Sequence, residues 1–511
     1  MSERLAQALV AGAGLDHAPG DARLIETHIS WIVLTGAFAY KLKKPVDLGF
    51  VDFTSLEKRR FYCEEELRLN RRTAPSIDLA VVPISGSESE PLIGDESAPI
   101  DYAVRMRRFD PDQTLDHVAA RGELHLPLVL SLADAVAALH GAAECAGPDT
   151  VYGRAAAVQQ QSDDNFRELG ERLSDNRDRA RLAALDAWTG ERFETIEEVI
   201  ETRRAAGRVR ECHGDLHLGN ILLKDGRCVL FDCIEFNAAL RWTDTAADIA
   251  FTMMDIAHSV DRALANLLYN EYLQCTGDYG SVAIIDYFLV YRAMVRAKVD
   301  AIRCGQSGDE AMLENCRSHL ELAQSCTQRL APRLIILCGL SGSGKTTLGR
   351  HIAAELDAVH LRSDVERKRL FGLGMRESSA ASGLDIYTSD ASRRTFDRLF
   401  ELAGEVLDRG VAVAVDATFI EASLRERFRE LALQRRVPWH IVHCQVDRDE
   451  AHRRLAARSG DASEAGIAQY EEQRRRFEKF STAEAARVVA LDTTREDALQ
   501  GALQTLRDAV E

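Results

Sequence analysis

Several features that define other classes of protein are missing from this sequence. Its 511 residues contain no run of about 18 consecutive apolar residues, and no long apolar segment follows Met1, so neither a membrane span nor a signal peptide is expected. The eleven cysteines form no C-x-x-C pair, which argues against a zinc site and a disulfide framework and fits a reducing compartment. We therefore expect a cytoplasmic protein without a membrane partner.

Positive charge is also scarce. Asp and Glu number 81 against 64 Lys and Arg, and the formal net charge is −17. Proteins that bind nucleic acid usually carry a basic face, because neutralising phosphates supplies much of the affinity. The charge therefore argues against nucleic acid as a partner and favours small molecules. It gives no indication of the oligomeric state.

The most informative stretch runs from Gly339 to Thr346. It reads G-L-S-G-S-G-K-T, follows an apolar strand at 334–337 and precedes a helical run from about 347. Strand, glycine-rich turn and helix together form the P-loop pattern, in which backbone N–H groups and the helix N-terminus bind phosphate. Lys345 would reach the β- and γ-phosphates, and the Thr346 hydroxyl would ligate Mg²⁺. The predicted nucleotide-binding residues are Gly339, Ser341, Gly342, Ser343, Gly344, Lys345, Thr346 and Thr347.

After the P-loop, apolar strands alternate with helical segments. Strands are predicted at 358–361, 411–415, 439–446 and 487–491, which indicates a doubly wound parallel sheet. Ligands bind at the carboxyl ends of the strands in such sheets. Asp364 and Asp416 follow two of the predicted strands, so we expect both carboxylates to converge on the P-loop.

Near the N-terminus, a hairpin with a turn at Thr35-Gly36 carries Lys41 and Lys43 on one face of its second strand. Either lysine could hold the α- and β-phosphates of a nucleotide. A capping-box pattern at 54–57 then opens a helix that contains Glu64, Glu65 and Glu66. Any of the three could pair with the strand lysine. Spacing alone does not choose, and we favour Lys41 with Glu66.

A second phosphate-handling pattern lies between His213 and Asp232. The spacing H-x-D-x-x-x-x-N is followed by a hairpin whose second strand ends at Asp232, as in kinase active sites. Asp215 would accept the proton of a substrate hydroxyl, while Asn220 and Asp232 would hold Mg²⁺. Helices are predicted before this pattern, at 124–140, 162–185 and 188–206.

These motifs resemble those of the aminoglycoside phosphotransferase and choline kinase group, within the wider protein-kinase-like fold. Gly214 stands where protein kinases have the arginine of H-R-D, and Asp232-Cys233-Ile234 replaces D-F-G. No G-x-G-x-x-G precedes the lysine strand and no A-P-E follows. The resemblance covers about residues 25–330 and implies a bilobal fold, with an N-lobe at 1–109 and a helical C-lobe at 110–330.

The segment 332–511 resembles small P-loop kinases of the polynucleotide-kinase, gluconate-kinase and zeta-toxin kinds. That resemblance implies that Asp364 activates the substrate hydroxyl, with Arg367 one helical turn further on, and that Asp416 is the acidic residue of the Walker B strand. It also implies that Arg454 and Arg458, four residues apart on a helix, close over the phosphates. Arginine suits this role because its planar fork pairs with phosphate oxygens.

The sequence therefore predicts a mixed α/β and α+β chain: a bilobal kinase-like fold followed by a doubly wound P-loop domain. We expect an ATP- and Mg²⁺-dependent phosphotransferase with two kinase modules, each acting on a hydroxyl of a small molecule. The alternative is one active kinase module whose companion is an ATP-binding regulatory switch. Neither acceptor can be named, because fold and phosphate chemistry are shared across many substrates.

Overall fold

The computed structural model describes residues 3–49, 51–379, 381–457 and 462–508. The chain forms two compact units. The first comprises residues up to 168 together with 193–255, and the second comprises 169–192 together with 256–511. Among the described residues, no helix combines the length and apolar character needed to cross a membrane.

An antiparallel sheet opens the first unit. Its strands are β1 (Arg23–Glu26), β2 (Ser30–Thr35), β3 (Phe38–Lys43), β4 (Asp78–Gly86), β5 (Pro91–Ile93) and β6 (Asp101–Arg107). They lie in the order β1-β2-β3-β6-β4-β5. β2 and β3 form the predicted hairpin, with Ile32 opposite Lys41. The strand period of two separates the residues of β3 into two faces.

The two faces of β3 have different surroundings. Tyr40 and Leu42 belong to a hydrophobic cluster with Leu5 and Leu9 of helix α1 (Glu3–Val10). Lys41 and Lys43 project from the opposite face, toward helix α2 (Leu56–Asn70). The alternation of apolar and basic residues thus places both lysines beside the helix that carries the candidate glutamates.

The start of α2 differs by one residue from the predicted capping box. The N-cap is Ser55, whose hydroxyl accepts a hydrogen bond from the N–H of Lys58 at 3.2 Å, and the helix begins at Leu56. Thr54 instead donates its hydroxyl proton to Asp52 at 2.6 Å. Because the Thr54 hydroxyl is engaged in this local bond, the neighbouring Ser55 caps the helix instead.

Helices and short strands complete the region up to residue 261. The helices are α3 (Leu115–Ala120), α4 (Leu126–Ala142), α5 (Ala155–Gly170), α6 (Asn176–Ala205), α7 (Ala238–Arg241) and α8 (Thr245–Ser259), and the strands are β7 (Val209–Glu211), β8 (Ile221–Lys224), β9 (Arg227–Leu230) and β10 (Trp242–Asp244). The prediction of a single helix over 162–185 was wrong. Helix α5 ends at Gly170 and helix α6 begins at Asn176. At the start of α6 the Asp175 carboxylate accepts the N–H of Arg177 at 2.8 Å.

A parallel sheet organises the second unit. Its strands are β11 (Leu334–Cys338), β12 (Val359–Arg362), β13 (Val413–Asp416), β14 (Trp439–Gln445) and β15 (Val488–Asp492), in the order β12-β13-β11-β14-β15. All the pairings are parallel, which confirms the doubly wound prediction. The described helices are α9 (Arg262–Thr276), α10 (Ile285–Ser307), α11 (Glu310–Cys326), α12 (Lys345–Glu355), α13 (Ser363–Leu370), α14 (Ser389–Asp408), α15 (Ala422–Arg435), α16 (Arg448–Ala457), α17 (Ile467–Arg476), α18 (Thr482–Ala485) and α19 (Glu496–Asp508).

Helix α9 covers the edge of this sheet. Asn270 is 5% exposed. Its Oδ1 accepts the backbone N–H of His360 in β12 at 2.7 Å, and its Nδ2 donates to the carbonyl of Ala358 at 3.1 Å. Nearby, Glu271 accepts a hydrogen bond from Arg350 of α12 at 2.7 Å. An edge strand exposes unpaired backbone groups, and the asparagine amide satisfies one of them in β12 and the carbonyl of the residue just before the strand.

Replacing Asn270 by alanine is expected to destabilise the protein by about 1–3 kcal/mol, because a buried backbone N–H and a carbonyl lose their partner. Urea unfolding of the full chain measures the change. Asn315, exposed on α11, provides the matched control, and its alanine variant should change stability by less than about 0.5 kcal/mol. Equal effects of the two substitutions would contradict the role assigned to Asn270.

Candidate active sites

The first site is built around two buried lysines that share one glutamate. Lys41 Nζ lies 2.9 Å from Glu66 Oε1, and Lys43 Nζ lies 2.7 Å from Glu66 Oε2. Lys43 also pairs with Glu235. Burial by itself would raise the pKa of Glu66, but the charges of Lys41 and Lys43 outweigh it and lower that pKa to about 2. The glutamate therefore stays ionised and fixes both ammonium groups.

Asp232 is the third acidic partner of this cluster. Its Oδ1 lies 2.6 Å from Lys41 Nζ, and its side chain remains partly exposed. The residue has a φ of 61°, a left-handed conformation that side chains other than glycine adopt at a cost. The neighbouring backbone maintains this geometry, because the N–H of Cys233 donates to Asn70 Oδ1 at 2.8 Å. Lys41 therefore contacts both Glu66 and Asp232.

The loop that contains Asp215 is tied to the segment that contains Asp232. His213 Nε2 donates to the carbonyl of Phe231 at 2.8 Å, and the N–H of Phe231 donates to the carbonyl of Asn220 at 3.0 Å. Asn220 Nδ2 in turn donates to the carbonyl of Asp215 at 2.9 Å. These bonds gather the predicted base and both predicted metal ligands in one region. The oxygens of Asn220 and Asp232 are of the hard type that Mg²⁺ prefers.

Asp248, at the start of α8, holds this loop through hydrogen bonds to its backbone. Its two carboxylate oxygens accept the backbone N–H groups of His213 at 3.1 Å and Gly214 at 2.8 Å. His140 Nε2 lies 3.0 Å from the same carboxylate. Asp248 is completely buried, so it fixes the loop and does not reach a substrate. His217 shares a contact of 3.5 Å with the Asp215 carboxylate.

Asp78 adds an ionisable group behind the lysine cluster. It is 1% exposed, and its Oδ1 has no hydrogen-bond partner among the described residues. Burial and the negative charge of Glu66 raise the pKa of Asp78 from 3.8 to about 7. A raised carboxyl pKa means that the folded chain holds more protons than the unfolded chain between these two values. Folding stability therefore falls as the pH rises through that window.

The Asp78→Asn variant should lose this pH dependence, because an amide stays neutral. We expect its melting temperature, relative to that of the unmodified protein, to increase between about pH 5 and about pH 8. Thermal melts across this range provide the measurement. Asp225→Asn, in the exposed turn between β8 and β9, is the control and should show no such trend. If the difference in melting temperature between Asp78→Asn and the unmodified protein stayed constant with pH, the raised pKa assigned to Asp78 would be contradicted.

The second site is formed by the P-loop. Gly344 has a φ of 83° and precedes α12, and a Cβ added to Gly339 would lie 2.6 Å from the carbonyl oxygen of Cys444. Both positions therefore require glycine. Lys345 Nζ donates to the carbonyls of Gly339 and Leu340 at 2.9 Å each. The lysine thus folds back over the loop that would surround a phosphate.

Thr346 and Asp416 form the predicted metal-binding pair. The Thr346 hydroxyl donates to Asp416 Oδ2 at 2.8 Å. Asp416 is buried, which raises its pKa, but the contact with His360 and the charges of Lys345 and Arg362 outweigh burial and lower the pKa to about 2. A hydroxyl beside an ionised carboxylate fits the oxygen ligands of Mg²⁺.

A cavity of about 1220 Å³ joins these groups. Asp364 and Arg454 line it together with the P-loop. Arg454 donates to Thr493 Oγ1 at 2.9 Å, and a Cβ added to Gly344 would lie 3.3 Å from Arg454 Nη1, so this guanidinium lies against the phosphate-binding loop. The predicted residues that line the cavity are Ser341, Gly342, Gly344, Lys345, Thr346, Thr347, Asp364, Asp416 and Arg454.

Some predicted residues have other positions. Ser343 is buried, and its hydroxyl has no hydrogen-bond partner among the described residues. Gly339 supports the turn without lining the cavity. Arg458, predicted to close over the phosphates with Arg454, lies outside the described residues. The sequence analysis also missed His360, whose Nε2 lies 3.4 Å from Asp416 Oδ2; its place in an apolar strand gave no functional signal.

Two family profiles match this chain. The profile described as the phosphotransferase enzyme family matches residues 61–285, and the profile described as an AAA domain matches residues 334–480. The first match spans most of α2 and the loop of Asp215, and the second spans the P-loop and most of the parallel sheet. Two kinase-like segments therefore follow one another in this protein.

Solved structures each cover only a portion of this chain. A gluconokinase from Sinorhizobium meliloti 1021 is 19% identical and covers 36% of this chain and 97% of its own, with a TM-score of 0.28. A choline/ethanolamine kinase family protein from Mesorhizobium loti is 12% identical and covers 63% of this chain and 99% of its own, with a TM-score of 0.36.

A curated relative extends across both parts. An uncharacterized protein of Mycobacterium tuberculosis (strain ATCC 25618 / H37Rv) is 30% identical over 457 residues, which is 86% of this chain and 87% of that protein. A shared stretch of this length includes most of both kinase-like segments. This chain therefore belongs to the same family as the mycobacterial protein, and it joins a phosphotransferase-family segment to a P-loop segment of the AAA-domain type.

Proposed function

We propose that this protein is a MgATP-dependent phosphotransferase with two active sites, each of which phosphorylates a hydroxyl group of a small molecule. The observation that carries the proposal is a repeated arrangement. In each unit a lysine and metal-type oxygen ligands lie near a carboxylate that can accept a proton. Bound MgATP would supply the phosphoryl group at each site.

In the first unit we assign the phosphate contact to Lys41, which Glu66 holds in place through the 2.9 Å ion pair. Asn220 and Asp232 would hold Mg²⁺. Asp215 is the candidate base, because its side chain is partly exposed and its loop is fixed by Asp248. A base within hydrogen-bond reach of the hydroxyl orients it and takes its proton.

In the second unit Lys345 and the loop N–H groups would bind phosphate, and Thr346 with Asp416 would hold Mg²⁺. Asp364 is the candidate base on the cavity wall, and Arg454 would neutralise phosphate charge. Electrostatic positioning of this kind supplies most of the rate enhancement in phosphoryl transfer. No disulfide joins any of the eleven cysteines, which is consistent with our proposal of a cytoplasmic location.

The direct test uses γ-labelled ATP and a metabolite extract, followed by mass identification of each labelled compound. Two acceptors should be labelled, one lost in Asp215→Asn and the other in Lys345→Ala. The alternative, an active module joined to an ATP-binding switch, predicts a single labelled acceptor whose yield changes when nucleotide binding at the other site is removed. Full retention of labelling in both variants would contradict both the two-site proposal and this alternative.

A further inference from the structure

Helix α13 presents two opposite faces to different surroundings. Asp364 and Arg367, three residues apart, line the P-loop cavity. Arg362, which caps the helix, is followed at spacings of four and three residues by Glu366 and Arg369. Side chains at these spacings share one face of a helix, and this second face lies away from the cavity. The candidate base and the three residues of the second face therefore point in opposite directions from the helix axis.

Glu366 is the central residue of this second face. Its side chain is buried, and it pairs with Arg369. Its Oε1 also accepts the hydroxyl proton of Tyr279 at 2.9 Å. Tyr279 follows α9 in the chain and is buried as well. Burial and the negative charge of Glu366 raise the pKa of the Tyr279 hydroxyl, so this group stays protonated and donates the hydrogen bond at neutral pH.

The C-terminal end of α9 contacts both ends of α13. Gln274 is buried, and its Oε1 accepts a hydrogen bond from Arg362 Nη1 at 3.4 Å. The backbone carbonyl of Gln274 accepts another from Arg369 Nη2. Gly277, which ends α9, has a φ of 69°, and a Cβ added to it would lie 2.7 Å from Arg369 Nε. Glycine is therefore required where α13 approaches α9.

These contacts bear on chemistry because α13 is short. It has eight residues, and a helix of that length has little stability of its own, so packing determines its position. The hydrogen bonds to Glu366 and Arg369 fix the rotation of α13 about its axis. That rotation directs Asp364 into the cavity from the opposite face. Displacing a reacting group by about 1 Å can lower a rate by about 10²-fold.

We propose that Tyr279 is a positioning residue of the P-loop site, which fixes Asp364 at the cavity through Glu366 and α13. This inference rests on the proposed kinase function of that unit. Asp364 takes the proton of the acceptor hydroxyl, the hydroxyl oxygen bonds to the γ-phosphorus, and ADP leaves with the bridging oxygen. Tyr279 touches none of these reactants. It lies inside the phosphotransferase-family match at 61–285 and outside the AAA-domain match, so the P-loop site depends on a segment beyond its own profile.

The test places Tyr279→Phe in the full chain with Asp215→Asn, which removes the candidate base of the first unit. The labelling rate of the Lys345-dependent product is measured with a metabolite extract and saturating γ-labelled ATP. We expect a rate about 10-fold lower and an unchanged apparent KM for ATP, because the P-loop is not altered. In a chain that also carries Asp364→Asn, Tyr279→Phe should cause no further loss, since a residue that acts through the base has no effect once the base is gone.

Hydrogen exchange of the full chain measures the position of α13 without any acceptor. In Tyr279→Phe the amides of α13 should exchange about 10-fold faster, because one buried hydrogen bond is lost, while those of α12 should not change. Tyr269→Phe is the matched control. Tyr269 is a buried tyrosine of α9 whose hydroxyl lies 2.8 Å from Ser281 Oγ, so its loss removes a similar bond without touching α13. This variant should keep the labelling rate and the exchange of α13 unchanged.

Two results would overturn the inference. One is an equal loss of labelling rate in Tyr279→Phe and Tyr269→Phe, which would reduce Tyr279 to a general contribution to stability. The other is a further loss caused by Tyr279→Phe when Asp364 is already replaced. An unchanged rate in Tyr279→Phe, with a product still labelled, rejects the inference and leaves the kinase function standing. If no product is labelled in any variant although α13 exchanges faster in Tyr279→Phe, the proposed kinase function itself fails.

Discussion

Replacing Lys345 by alanine is expected to lower kcat of the P-loop unit by about 10²- to 10³-fold. Removal of a single preorganised charge contact to a transferring group typically has an effect of this size. Lys345 Nζ contacts the carbonyls of Gly339 and Leu340, so the ammonium already lies over the loop that surrounds the phosphates. Alanine leaves the loop glycines intact, and the loss is therefore electrostatic. Quantifying each labelled product from γ-labelled ATP measures the effect.

Lys479→Ala is the control for this variant, because Lys479 is an exposed lysine of the same unit. Its transfer rate should match that of the unmodified protein. The product that depends on Asp215 should remain at its original level in Lys345→Ala. Loss of both products in Lys345→Ala would mean that the two sites depend on each other. Loss of neither product would mean that the P-loop takes no part in catalysis.

The second large effect is expected for Asp215→Asn, which should lower turnover of the first unit by about 10²- to 10⁴-fold. The substitution keeps the size of the side chain and removes its ability to accept a proton. Asn220 Nδ2 donates to the Asp215 backbone carbonyl at 2.9 Å, a contact that the variant retains. The loop should therefore keep its shape, and KM for ATP should change little while kcat falls.

Asp225→Asn is the matched control for this substitution. Asp225 lies in the turn after β8 with a φ of 50°, a conformation that asparagine also adopts readily. It should retain full activity. If Asp215→Asn retained full transfer of its acceptor, the first unit would be a scaffold and catalysis would be confined to the P-loop unit.

The two lysines of β3 show what sequence spacing predicts and what it leaves open. The period of two predicted Lys41 and Lys43 on one face, and the structure places them there. The sequence left a choice between these lysines and among three glutamates, because strand and helix are joined by a loop whose path spacing does not specify. Packing brings Glu66 to both lysines, while Glu64 pairs with Arg60 and Glu65 with Arg68. Charge pairing across the fold thus distinguished residues that look equivalent along the chain.

The division of the chain shows a similar limit. We predicted segments 1–109, 110–330 and 332–511, with the last seam placed at Ala331-Pro332 because proline disfavours helix at the preceding residue, and those boundaries remain a prediction. The second compact unit includes α9, whose Asn270 contacts the backbone of β12. Proline signals a change in local backbone conformation. It carries no information about which helix will cover an open sheet edge.

The sequence by itself determined the contiguous motifs: the strand, turn and helix of the P-loop, the spacing from His213 to Asn220, and the alternation that yields a parallel sheet. These patterns are local, and backbone geometry fixes their shape within a few residues. The tertiary structure alone decided which distant side chains meet, namely Lys43 with Glu235 and His360 with Asp416. It also decided that Arg367 lines the P-loop cavity. Such contacts join segments far apart in sequence, and only packing sets the distance between them.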